Sequence, residues 1–173
     1  MIDAVHKCVH QCSWKLQSIL RTRRYYTTAQ MINLYKAHIL SYIEYRTPAI
    51  SHASATTLAP LDRIQARLLR ELDLSPEEAL MDYRLAPLHS RRDIAILGVI
   101  HRAARKEGPI QLQELFPLQL FPAENASHPY QIVNIASDCD QDYMCRTAFG
   151  YIEIYNRLPY NTVFRNDMKK IRK

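Results

Sequence analysis

The chain has 173 residues, of which 47% are hydrophobic and 23% charged, enough for a folded domain with its own core. It contains only three glycines and neither an Asn-Gly nor an Asp-Gly pair, which argues against a β-rich fold. The longest apolar run covers residues 94–100, far short of the roughly 20 that cross a bilayer, and no signal peptide is visible. We therefore expect an intracellular, all-α protein that has no membrane segment.

The net charge of +6 is distributed in blocks. Residues 1–70 hold ten Lys and Arg against three acids, whereas residues 71–90 hold one against five. Residues 111–145 are acidic, and residues 146–173 hold seven basic residues against two acids. Basic blocks can bind a polyanion, but they can also pair with acidic blocks of the same chain, so charge alone leaves both open.

Two amphipathic helices are predicted at the beginning of the chain, because apolar residues recur there every three or four positions. The first is expected to run from Asp3, as its N-cap, to Thr22. The second should be capped by Thr27 or Thr28 and should end before Pro48, because a proline pushes the preceding residue out of helical geometry.

Three more helices are predicted before residue 108. One follows residues 54–57, and a short one begins at Ser75, where an N-cap serine, a proline and a capping-box glutamate are in register. The last begins near Ser90, is apolar all round over residues 94–100 and so should be buried there, and stops at a Gly-Pro pair. The predicted core includes Leu16, Ile39, Leu61, Leu68 and Leu97.

These helices predict three parts of the chain. Residues 1–108 should form a bundle of about five helices, residues 109–145 a loop-rich connector, and residues 146–173 a short, basic, helical tail. Within the tail, helical segments are expected near residues 151–154 and 168–171.

No cofactor or metal site is predicted. On a helix, His6 and His10 lie on the side opposite Cys8 and Cys12, so one ion could not bind all four, and the two cysteines belong to the apolar stripe. The spacing of Cys139 and Cys145 does not suit zinc. Asp138, Asp140 and Asp142 begin like a calcium loop, but that loop then needs a glycine and a glutamate that the chain lacks.

Two basic clusters are the candidate functional residues. Arg63, Arg67 and Arg70, here called the arginine face, share one side of the third predicted helix. The arginine–tyrosine turn follows the first predicted helix and comprises Arg21, Arg23, Arg24, Tyr25 and Tyr26. Guanidinium groups next to aromatic rings suit phosphate contact and base stacking. The competing interpretation is that these arginines form a solvated surface or pair with acidic residues of the same chain. The acidic residues in question are Glu71, Glu77, Glu78 and Asp82.

Four strings resemble, in order, the region after the catalytic palm in reverse transcriptases of LINE-type, non-long-terminal-repeat retrotransposons. The first string, residues 34–45, reads LYKAHILSYIEY, and the second, residues 61–70, reads LDRIQARLLR. The third, residues 85–93, reads LAPLHSRRD and is similar to the family's "lpL..RR" segment. The fourth, residues 155–159, reads YNRLP and is similar to "WN.LP", with tyrosine in place of the usual tryptophan.

The resemblance implies the thumb and post-thumb region of such an enzyme, which grips RNA or an RNA–DNA duplex. It adds Arg91 and Arg92 of the third string to the candidate nucleic-acid contacts. It places the catalytic carboxylates in an upstream palm, and no Asp-Asp pair occurs in these 173 residues, so we do not expect an enzyme. A helical protein-interaction module and a decayed retroelement remnant also fit the sequence.

Overall fold

The computed structural model describes residues 2–120, 126–134 and 147–164. Within these ranges most residues are helical and none forms a β-strand, apart from one isolated antiparallel bridge between Leu118 and Ile132. The all-α fold class is confirmed. The chain divides into two compact units, Met1–Asp93 and Ile94–Lys173, whereas the sequence suggested a bundle extending to residue 108. None of the described helices is long and apolar enough to cross a membrane.

Six helices begin within the first unit, which satisfies the expectation of at least five before residue 108. They are α1 (Ile2–Arg21), α2 (Thr28–Tyr35), α3 (Ser41–Ile50), α4 (Ala55–Glu71), α5 (Pro76–Met81) and α6 (Leu88–Ala104). A π-helical segment, Lys36–Leu40, joins α2 to α3, and a 3₁₀ turn, Arg23–Tyr25, follows α1.

Two predicted helix caps are present, and a third cap, at Ser54, was not predicted. The Thr27 side chain accepts a hydrogen bond from the backbone N–H of Gln30, whose own side chain accepts one from the Thr27 N–H. Ser75 and Glu78 form the same reciprocal capping box at α5, and Ser54 caps α4. Each cap satisfies backbone donors that a helix leaves free. Asp3 is not the N-cap that the sequence predicted, since α1 begins at Ile2 and Asp3 lies in its first turn.

The predicted break before Pro48 does not occur. α3 continues through Pro48 to Ile50, and the hydroxyl of Thr47 donates to the carbonyl of Ile43. The buried residues Ile43, Thr47 and Ile50 follow one another at helical spacing on the core side. Burial of that face outweighs the local cost of a proline near the helix end.

The core of the first unit is formed where α1 packs against α4, α3 and α2. Four of the predicted core residues, Leu16, Ile39, Leu61 and Leu68, are almost fully buried there. Leu58, Ile64 and Leu72 of the predicted buried side of α4 are buried as well.

The middle of α6 differs from its prediction. Ile94 is 65% exposed, residues 96–99 are half-buried, and only Ile100 at the end of the run is buried. Leu97 belongs to the periphery of the second core and not to the first. The apolar run covers every side of α6, but most of its side chains are not buried in either core. Leu88, at the start of α6, belongs to the first core, and Ile100, at the end of the run, belongs to the second.

The end of α6 also differs. The sequence suggested Gly108 as the glycine that ends the helix, but the left-handed residue is Lys106, with φ of 58°. The backbone N–H of Lys106 donates to Ala103 and that of Glu107 to Arg102, each at 3.0 Å, in a Schellman arrangement.

In the second unit α7 (Ile110–Leu115) is followed by a 3₁₀ turn (Ala148–Tyr151), α8 (Ile152–Asn156) and α9 (Tyr160–Phe164). Its core contains Ile100, Phe116, Ile132, Ile152 and Tyr155. The helical segment predicted near residues 151–154 is therefore present. The segment predicted at 168–171, and the residues rejected above as zinc or calcium ligands, lie outside the described residues.

Candidate nucleic-acid interface

The arginine face lies on the solvent side of α4. Arg63, Arg67 and Arg70 are all exposed, while Leu61, Ile64 and Leu68 on the opposite side enter the core. Within the described part of the chain, none of these three guanidinium groups forms a salt bridge. The helical period thus separates a buried side from a positively charged side, as predicted.

The arginine–tyrosine turn lies at the same end of the unit as the last turn of α4. Arg23 approaches Glu71, the last residue of α4, at 3.7 Å, and both side chains are substantially exposed. The guanidinium of Arg24 stands 4.8 Å from the ring centre of Tyr25, which is 69% exposed. Because Arg70 directly precedes Glu71, the Arg23–Glu71 pair brings the two basic clusters to one end of the unit.

The acidic side chains that could have neutralised the arginine face are not used for that purpose. Among the described residues, Glu71 is the only one of the four whose carboxylate forms a salt bridge, and its partner is Arg23. The Glu78 carboxylate accepts the backbone N–H of Ser75 at 2.8 Å. This hydrogen bond, together with the one involving the Ser75 side chain, lowers the pKa of Glu78, so it serves as a helix cap.

Arg92 has to be removed from the candidate contacts. It is only 7% exposed, and its two terminal nitrogens donate to the two carboxylate oxygens of Asp62 at 3.0 and 3.1 Å. Arg91 is half-buried and is likewise committed, because its Nε donates to Glu44 at 2.6 Å and its Nη2 contacts the same oxygen. Both residues connect α6 to other helices of the first unit and are not available for phosphate.

The first three of the four strings contact one another. Glu44 of the first binds Arg91 of the third, and Asp62 of the second binds Arg92 of the third. In addition, the buried Gln65 side chain donates to the carbonyl of Ala86 at 3.1 Å. The Tyr35 hydroxyl lies 3.5 Å from Gln65 Oε1, and burial raises the pKa of that hydroxyl.

The fourth string has its own structural role in the second unit. Tyr155 is buried, and its hydroxyl lies 3.0 Å from His101 Nδ1. Burial and the nearby Tyr130 raise the pKa of Tyr155 to about 12. The next residue, Asn156, hydrogen-bonds the backbone of Ile132.

No protein-family model, curated protein or solved structure matches this chain. The resemblance to LINE-type reverse transcriptases therefore stays a prediction that depends on the four strings and their order. The contacts just described assign those strings a structural role, in which they hold helices together.

A basic groove between α1 and α3 was not predicted. It has a volume of about 380 Å³ and is open to solvent. It is lined by His6, Lys7, His10, Gln11, Tyr42 and Arg46. Lys15 and Arg46 lie 4.2 and 4.5 Å from the ring centre of Tyr42. The i, i+4 spacing of the two histidines indicates a shared helix face, but the groove also needs Tyr42 and Arg46 of α3, which that spacing does not reveal.

The cysteine interpretation is confirmed, since Cys8 and Cys12 are free thiols that are fully buried in the core. Their mutual hydrogen bond lowers the pKa of Cys8 to about 7, with a further contribution from the charges of Arg46 and Lys15. The same bond and burial raise the pKa of Cys12. In the ranges that the structure describes, no group of three or more His, Cys, Asp or Glu residues is placed to hold a metal ion.

Proposed function

We propose that this chain binds the backbone of a nucleic-acid duplex, RNA–DNA or RNA, through the arginine face and the arginine–tyrosine turn. In this proposal it is a thumb-like, non-catalytic region of a reverse transcriptase, which works with a palm outside these 173 residues, in the same chain or a separate one. The observation that carries the proposal is that Arg63, Arg67 and Arg70 are exposed without salt-bridge partners among the described residues, although acidic residues are close in sequence.

The spacing of these arginines suits a duplex. Seven residues of α-helix separate Arg63 from Arg70, a rise of roughly 10 Å along the axis. Duplex DNA carries one phosphate charge per about 1.7 Å of its axis, so several phosphates lie within reach of three guanidinium groups. Phosphate contacts hold a duplex in place but carry no sequence information, so binding should be insensitive to base sequence.

The first test is direct binding. A fluorescently labelled RNA–DNA duplex is titrated with the chain at salt concentrations between about 50 and 200 mM, and anisotropy is measured. The proposal expects saturable binding whose affinity falls steeply with salt and is similar for two duplexes of unrelated sequence. A lack of saturable binding at the lowest salt would rule it out.

The non-catalytic part of the proposal has a separate test. With template, primer, nucleotides and magnesium, the purified chain should incorporate no nucleotide, because two-metal polymerisation needs paired carboxylates that the resemblance places in the palm. Incorporation that remains after stringent purification would contradict this part and would leave duplex binding unaffected.

A protein-interaction module is the second candidate. The exposed neighbours Leu80 and Met81 on α5 favour it, since they offer adjacent apolar side chains to a partner. That function predicts weak duplex binding that does not depend on the arginine face.

A further inference from the structure

Trp14 is the only tryptophan of the chain and lies on the solvent side of α1. Its side chain is 67% exposed, and no aromatic ring or cation among the described residues contacts the indole. The core side of the same helix is formed by Val5, Cys8, Cys12 and Leu16. A large aromatic side chain left in water loses the stabilisation of burial, so the fold itself does not account for this tryptophan.

The exposed side of α1 combines this ring with positive or ionisable side chains. His10 precedes Trp14 by one turn, His6 precedes His10 by one turn, and Arg21 follows Trp14 by two turns. Together with Lys7 these residues are called the α1 face, and all are exposed. From His6 to Arg21 the face extends roughly 22 Å. The only acidic residue of α1 is Asp3, in the first turn.

One end of the α1 face opens into the basic groove and the other reaches the arginine–tyrosine turn. Arg46, which lines the groove together with His6 and His10, lies against the Tyr42 ring, and Lys15, which does not line the groove, approaches the same ring. None of the groove residues is acidic. The arrangement is an exposed aromatic ring between two cationic regions.

We propose that the α1 face binds an unpaired strand of nucleic acid, with one base stacked on Trp14 and the flanking phosphates held by the groove at one end and by Arg21 at the other. The inference rests on the proposed function, in which the arginine face holds a duplex, and assigns a different surface to the single strand. An indole needs the open face of a base, which a duplex keeps inside its stack, so an unpaired strand fits this surface better than a duplex.

The single tryptophan makes the test direct. Wild-type chain is titrated with a single-stranded homopolymer, oligo(dT), while the fluorescence of Trp14 and the anisotropy of a label on the strand are both recorded. Stacking should quench the indole, and both signals should saturate at the same concentration. A duplex of equal length should quench it much less.

Substitutions separate stacking from charge. Trp14→Ala should weaken binding of oligo(dT) by roughly 5- to 150-fold, the range that loss of one stacked base gives. Trp14→Phe should recover part of the affinity, because a phenyl ring still stacks. Tyr45→Ala is the matched control, since Tyr45 is an exposed ring on α3 that does not line the groove. Neither Trp14→Ala nor Tyr45→Ala should change the affinity for a duplex by more than about twofold.

The outcomes distinguish this inference from the proposed function. Duplex binding with no indole quenching by oligo(dT), or equal affinity of Trp14→Ala and Tyr45→Ala for oligo(dT), would overturn the inference and leave the proposed function standing. If the wild-type chain binds neither the duplex nor oligo(dT), both the inference and the proposed function are overturned. A blue shift of Trp14 emission with rising protein concentration alone would assign the face to a second copy of the chain and would also overturn the inference.

Discussion

Arg92 and Asp62 form a bidentate ion pair between α6 and α4, thirty residues apart in sequence. Two parallel hydrogen bonds between a guanidinium and a carboxylate fix both the distance and the angle between the groups. Arg92 is buried whereas Asp62 is partly exposed, so the arginine depends on this partner more than the aspartate does. Arg92 was a candidate nucleic-acid contact because of the string in which it lies, but in the structure it holds α4 and α6 together.

Arg92→Ala should therefore destabilise the chain, by about 2 kcal/mol, because it removes two charge-assisted hydrogen bonds and leaves a gap beside α4. Arg102→Ala is the control, since Arg102 is an exposed arginine of the same helix. Urea unfolding of the two variants measures the difference in the free energy of unfolding. Equal stability of both variants would show that the pair contributes nothing.

Asn156→Ala should destabilise the second unit. The Asn156 side chain accepts from the Ile132 N–H at 3.0 Å and donates to the Ile132 carbonyl at 2.9 Å, in place of a neighbouring strand. Ile132 is fully buried, so its N–H would lose its partner, at a cost of about 2 kcal/mol, while its carbonyl would keep only the side-chain amide of Gln119, at 3.3 Å. Asn161→Ala, an exposed asparagine in α9, is the control. Faster hydrogen exchange at the Ile132 amide in Asn156→Ala alone would support this account, and equal exchange in both variants would contradict it.

Lys106→Gly should stabilise the chain. Lys106 has φ of 58°, and a residue with a Cβ atom pays roughly 1 kcal/mol for this left-handed conformation, whereas glycine does not. Lys106→Ala removes the same side chain but keeps the Cβ atom, so it isolates the backbone effect. In thermal unfolding, the midpoint temperature should be higher for the glycine variant than for the alanine variant, and the alanine variant should unfold close to wild type. A glycine variant no more stable than the alanine variant would refute the explanation.

The capping box at α5 should contribute a pH-dependent part of the stability. The pKa of Glu78 is lowered in the folded chain by its hydrogen bonds with Ser75. A carboxyl group whose folded pKa lies below its unfolded pKa stabilises the fold above the unfolded value, and this contribution is lost as the pH falls through the folded value. Wild type should therefore exceed Glu78→Gln in stability at neutral pH, and the difference should shrink in acid. A difference that is constant with pH would contradict the assignment.

Local signals in the sequence were sufficient for much of the fold. The caps at Thr27 and Ser75 were predicted because each depends on residues within three positions. The continuation of α3 through Pro48 was not, because it depends on a buried face that only the packed unit creates. The exposure of Ile94 was missed for a similar reason, since an all-round apolar run does not reveal which sides find partners.

The candidate site shows the same division between local and tertiary information. The exposed side of α4 follows from helical periodicity, and the arginine face was therefore found. Arg91 and Arg92 pair with carboxylates that lie 47 and 30 residues away in sequence. A local sequence pattern does not reveal such pairs, so their participation in ion pairs was not predicted. The groove needs α1 and α3 side by side, so its residues could not be collected from the sequence alone.

The most direct test of the proposed function is the salt dependence of duplex binding after the arginine face is removed. Arg63, Arg67 and Arg70 are replaced together by alanine, and Arg102, Lys106 and Arg157 form a control triple that changes the net charge equally. Affinity for the RNA–DNA duplex is measured as a function of salt for wild type and both variants. We expect the arginine-face triple to flatten the slope of log affinity against log salt by up to about 2.7, at about 0.9 for each phosphate contact. The control triple should leave that slope close to wild type. An unchanged slope in the arginine-face triple, or an equal change in both triples, would contradict the proposal that this face binds the duplex.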